Sequence, residues 1–78
     1  MKIQYSKQAI KFLKKQDAIV QKRLIKAIHL LPGIGDVKRL QGRDGYRLRV
    51  GDYRILFNYR TFEVLYIEKI DNRGQVYK

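Results

Sequence analysis

The chain has 78 residues, with 18 Lys and Arg against 7 Asp and Glu, a formal charge of +11 and no cysteine. That length makes one domain, residues 1–78, with a small core, since a chain of this size buries only about 60% of its unfolded surface. The absence of cysteine excludes disulfides and thiolate metal sites, and it fits a reducing, cytoplasmic setting. A single histidine, His29, leaves no pair for catalysis or zinc, so no metal or other cofactor is expected.

No apolar run approaches the ~18–20 residues that cross a bilayer, the N-terminus shows no signal-peptide pattern, and no membrane partner is expected. What the charge does predict is a polyanionic partner.

Lys2-Ile3-Gln4-Tyr5 alternates and predicts a short first strand. Ser6 is a good N-cap for a helix over about Lys7 to Lys15, whose apolar stripe is Ala9, Ile10, Phe12 and Leu13. Asp17 caps a second helix in which Val20, Leu24, Ala27, Ile28 and Leu31 recur at helical spacing until Pro32-Gly33 ends it. The short link between the two predicts an antiparallel helical hairpin. The lysines opposite the stripes read as a solvated face, and His29 as a surface residue.

Pro32 to Asp36 reads as a loop without a phosphate-loop ending. Lys38, Arg39 and Arg43 form a basic lead-in. They read either as solvated loop or as cations that track a nucleic-acid backbone.

Two alternating runs then flank Gly51-Asp52, which predicts a β-hairpin with glycine first in a type II′ turn. That turn pairs Val50 with Tyr53, Arg49 with Arg54, Leu48 with Ile55 and Arg47 with Leu56. One face carries Tyr46, Leu48, Val50, Tyr53, Ile55 and Phe57 and is core. The other carries Arg47, Arg49 and Arg54. Arginines directly opposite each other cost ~0.2–1 kcal/mol, and guanidinium forks match phosphate, so this face is expected to bind a phosphodiester. The competing reading is a solvated strand face. Asp44 and Asp52 read as turn formers. Phe62 to Ile70 predicts a more buried strand, and Asp71 to Lys78 a short tail.

The order of elements, with Leu40-x-Gly42, Tyr46-Arg47-x-Arg49-x-Gly51-x-Tyr53-Arg54 and Arg73-x-x-Val76-Tyr77, resembles the RelE/ParE superfamily of bacterial toxin–antitoxin toxins over nearly the whole chain. The Arg-x-x-Val-Tyr ending favours the RelE branch. The resemblance implies an α+β fold: an N-terminal strand, a two-helix antiparallel hairpin, and a three-stranded antiparallel meander, forming a twisted sheet with the helices on one face.

It also implies a ribosome-dependent endoribonuclease that cuts mRNA in the ribosomal A site. The toxin would be a monomer when alone and would form a hetero-oligomer with an acidic cognate antitoxin that wraps and inhibits it. Arg47 and Arg49 would contact the phosphates, Arg54 would stabilise charge on the scissile phosphate, and Arg73 and Tyr77 would complete the site.

The chain departs from the family pattern where it matters for proton transfer. Some relatives have lysine at positions 47 and 49, and many have histidine where Asn72 stands. Arginine stays protonated and makes a poor base, which leaves the proton acceptor unassigned. A ParE-like poison of DNA gyrase and an RNA-binding module without chemistry are the alternatives.

Overall fold

The computed structural model describes residues 2–31 and 33–72. β1 (Lys2–Tyr5) leads through Ser6 into α1 (Lys7–Lys15), and α2 (Ala18–His29) follows Asp17. Both helix starts are capped as their sequences dictate: Ser6 Oγ accepts from the Ala9 amide at 3.0 Å, and Asp17 Oδ1 from the Val20 amide at 2.9 Å. β2 (Asp36–Arg39), β3 (Tyr46–Val50), β4 (Tyr53–Thr61) and β5 (Val64–Asn72) complete a five-stranded sheet in the order β1-β5-β4-β3-β2. β1 runs parallel to β5, and the other neighbours are antiparallel.

The β3–β4 register is the one the Gly51-Asp52 turn predicts, residue for residue. Gly51 has φ +58° while no non-glycine residue among those described has positive φ, which is the type II′ pattern rather than I′. A Cβ on Gly51 would meet the Arg23 guanidinium of α2, so glycine also makes room for that close approach.

The core lies between the helices and one sheet face. Ala9, Leu24, Ile28 and Leu31 come from the helical layer; Leu48, Ile55, Phe57, Leu65, Ile67 and Ile70 come from β3, β4 and β5. Each fully buried aliphatic side chain contributes roughly 1.5–3 kcal/mol of transfer free energy. Tyr46 and Tyr53 pack against this core as expected. Tyr46 stacks on Phe57 with centroids 5.4 Å apart, and Tyr53 meets Phe12 edge-on at 6.0 Å.

β1 is shorter than β5, and side chains continue its ladder. The Ser6 amide donates to the Ile67 carbonyl at 2.9 Å, and Ser6 Oγ to the Glu68 carbonyl at 2.7 Å. Gln8 then pairs with both backbone groups of Ile70, donating from Nε2 at 2.9 Å and accepting at Oε1 from its amide at 3.0 Å. Most of the outer edge of β5 is thereby closed without another strand, which removes an exposed template for misassociation.

Three details differ from the sequence reading. Asp36 to Arg39 is a strand rather than a loop, so β2 extends the expected meander to four antiparallel strands. Only Val37 of its residues packs against the core, opposite Leu48, and one apolar residue is too little signal for a period of two. Phe62 lies in the β4–β5 turn, 86% exposed, instead of opening a strand. Asp71 and Asn72 belong to β5 and not to a tail. No helix among the described residues is long and apolar enough to cross a membrane.

Candidate functional site: the arginine face of the sheet

The face turned away from the helices is built by alternation. Because Leu48 and Ile55 point into the core, Arg47, Arg49, Arg54 and Leu56 point out. Strand pairing then arranges these residues in rows across the sheet. One row runs Asp36, Arg49, Arg54, Asp71 from β2 to β5, with the two arginines at its centre and a carboxylate at each end. The next runs Lys38, Arg47, Leu56, Lys69 and carries no acid.

The first row corrects the argument from like charges. Arg49 and Arg54 do face each other, but each has an acid on its other flank. Arg54 Nη2 donates to Asp71 Oδ2 at 3.1 Å, with both side chains about three-quarters buried. Asp36 Oδ1 lies 3.7 Å from Arg47 Nη2, an ion pair along the diagonal without a hydrogen bond. Arg54 therefore needs no external anion, whereas Arg49 makes no ion pair among the described residues. The second row still lacks such compensation for Lys38 and Lys69.

Polar satisfaction on this face is incomplete. Among the described residues, the buried side-chain nitrogens and oxygens without a hydrogen-bond partner are Arg47 Nη1, Arg54 Nε, Asp71 Oδ1 and Asn72 Oδ1. The first three belong to the arginine face. Buried polar groups are nearly always paired, so this cluster leaves hydrogen-bonding capacity for water or a ligand on the arginine face. A guanidinium has five N–H donors, so Arg54 keeps donors for a ligand while it holds Asp71.

Of the other residues the sequence singled out, Arg49 is exposed on the row beside Arg54. Lys38 is exposed on the same face, opposite Arg47. Arg39 alternates to the other side, opposite Tyr46, and does not join them. Arg43 sits in the Gln41–Asp44 loop and is ion-paired with Glu68 on β5. The structure thus separates the three lead-in cations. Arg73 and Tyr77 lie outside the described residues.

Asp36 and Asp71 were missed as site residues. Both sit where the sequence showed a loop or a tail, and only strand register places them beside the arginines. At the far end of the face, Arg60 lies over the Tyr66 ring, 4.0 Å from its centroid. No group of His, Cys, Asp and Glu suited to a metal occurs among the described residues.

No protein-family model matches the chain, and no curated protein matches it. Solved structures do. A chain of the RelB–RelE antitoxin–toxin complex from Methanococcus jannaschii shares 25% identity at a TM-score of 0.76, covering 95% of this chain and 94% of that one. YafQ from E. coli strain BL21(DE3) shares 19% identity at a TM-score of 0.60, covering 97% of each chain. A chain of the intact E. coli RelBE toxin–antitoxin complex shares 18% identity at a TM-score of 0.52, covering 91% of this chain and 94% of that one.

Two helices laid on a five-stranded mixed sheet form a small α+β fold that matches RelE-like toxins. The chain is RelE-like in fold, by its likeness to the chain of the RelB–RelE complex.

Proposed function

We propose that the chain is the toxin of a toxin–antitoxin pair, an endoribonuclease that cuts mRNA in the ribosomal A site and is neutralised by an acidic cognate antitoxin. The observation that carries this reading is the row with Arg49 and Arg54 at its centre, set beside the uncompensated Lys38 and Lys69. The likeness to RelB–RelE supports it.

The chemistry suits such a face. The RNA's own 2′-hydroxyl is the nucleophile, so the protein has to hold the phosphate, align it and stabilise developing negative charge. Arg47 and Arg49 grip the flanking phosphates, and Arg54 directs its remaining donors at the scissile one. One preorganised donor of this kind is worth about 2.7–4 kcal/mol. The ribosome supplies substrate alignment that a deep pocket would supply elsewhere. Arg73 and Tyr77 complete the site in this reading.

A non-nuclease poison of DNA gyrase is the second reading. It is favoured by one fact: Arg54 and Arg47 already have carboxylate partners within the chain. Induced expression with mapping of mRNA 5′ ends tests the choice. In-frame cuts in translated mRNA, lost in Arg54→Ala, establish the nuclease; growth arrest without cuts moves the assignment to a protein target.

A further inference from the structure

We propose that Asp71 is the general base of the cleavage reaction, taking the proton of the attacking 2′-hydroxyl. This rests on the endoribonuclease reading above and supplies the proton acceptor that reading lacks.

The arginines of the face cannot serve, since a guanidinium stays protonated. His29 ends α2, on the helical layer across the sheet. The carboxylates of the two arginine-bearing rows are Asp36 and Asp71. Asp36 stands on an edge strand with its side chain 55% exposed, and its contact is the loose pair with Arg47. Asp71 is held in place: it sits on an inner strand, 23% exposed, with Oδ2 accepting from Arg54 Nη2 at 3.1 Å.

Oδ1 is buried without a hydrogen-bond partner, and Oδ2 is the oxygen that meets Arg54. A carboxylate oxygen has two lone-pair sites, so Oδ2 can accept from Arg54 and from a 2′-hydroxyl together. The base and the residue that stabilises the phosphate are thus hydrogen-bonded to each other, and a phosphodiester gripped by Arg54 has its 2′-oxygen close to Asp71.

The step balances without a co-reactant other than water. Asp71 takes the 2′-hydroxyl proton as the 2′-oxygen bonds to phosphorus. The bond from phosphorus to the 5′-oxygen breaks, and that oxygen takes a proton from water. The hydroxide so formed removes the proton from Asp71. The products are a 2′,3′-cyclic phosphate and a 5′-hydroxyl.

Two variants separate this role from a merely positioning one. Asp71→Asn keeps an acceptor for Arg54 but cannot take a proton; Asp71→Glu can. Both are assayed as full chains, with melting curves to establish folding, on ribosomes programmed with a short mRNA. A general base predicts kcat lowered about 10²–10⁴-fold in Asp71→Asn. RNA binding should be unchanged or tighter, because a negative charge beside the phosphate is gone, and Asp71→Glu should be more active than Asp71→Asn. Asp71→Asn cleaving as fast as the wild type, or faster than Asp71→Glu, overturns the assignment and leaves the nuclease standing. A wild-type chain that does not cleave removes both.

Discussion

Arg54 and Asp71 stand opposite each other on β4 and β5, and the guanidinium donates from Nη2 to Oδ2 at 3.1 Å. The pair has two consequences. It fixes the orientation of the arginine we propose for the scissile phosphate, and it ties that proposed role to stability at one point of the sheet.

Arg54→Ala leaves Asp71 largely buried with neither oxygen paired. For a pair that is partly solvated, the expected cost is about 1–2 kcal/mol, between the values for an exposed ion pair and for an unpaired buried charge. Asp71→Ala should cost a similar amount. The double variant should cost less than the sum, with a coupling of about 0.5–1.5 kcal/mol. Urea unfolding midpoints of the four proteins measure this directly. Strict additivity would mean that the two side chains do not interact in solution.

Much of the hairpin was legible because its turn is local. Gly51-Asp52 sets the register between two runs of clean alternation, and nothing distant has to be known. The helix caps Ser6 and Asp17 were legible for the same reason. The acids flanking the arginines were not. Asp71 is placed by the β4–β5 pairing, whose turn at Thr61–Glu63 lacks glycine and whose ladder shifts register between Leu56 and Phe57 and again between Tyr59 and Thr61. The two shifts cancel, so Arg54 and Asp71 share the register of Thr61 and Val64, but a turn without glycine does not reveal that starting pair in the sequence. Asp36 is placed by an edge strand with a single core residue. Hence the shared face of Arg47, Arg49 and Arg54 could be read from sequence, and the acids beside them could not.

Ser6 closes two structures at once, as the N-cap of α1 and as the donor to the Glu68 carbonyl on β5. Ser6→Ala should therefore cost about 1–2 kcal/mol, the upper part of the range for a lost cap. Ser6→Asp restores the cap acceptor but not the donor, and should recover only part of that. Equal stability of Ser6→Asp and wild type, by thermal or urea unfolding, would show that the bond to Glu68 contributes nothing.

Tyr5 gives the fold an alkaline limit. Burial pushes its hydroxyl above the ordinary value of 10.0. Its neutral form is favoured in the folded chain, so its contribution is fully present below pH 10. As pH rises beyond that, the unfolded chain releases this proton first, and stability falls until the folded-state value is passed. Comparison with Tyr5→Phe isolates the contribution of this one hydroxyl. The variant should lose less stability than the wild type between about pH 9 and 11. Parallel losses would place the limit elsewhere.

The row of Lys38, Arg47, Leu56 and Lys69 lacks an acid, and it should dominate non-specific RNA binding. For a single strand, the slope of log affinity against log salt is about −0.7 per phosphate neutralised. Lys38→Glu and Lys69→Glu should each weaken binding of a short oligoribonucleotide and flatten that slope by about one phosphate's worth. Lys22→Glu, on exposed α2 behind the sheet, alters net charge equally and should change the slope much less. Fluorescence anisotropy over a salt series separates the three. Equal effects from all of them would mean that the RNA responds to the total charge of the chain, and that the geometry of the arginine face contributes no binding of its own.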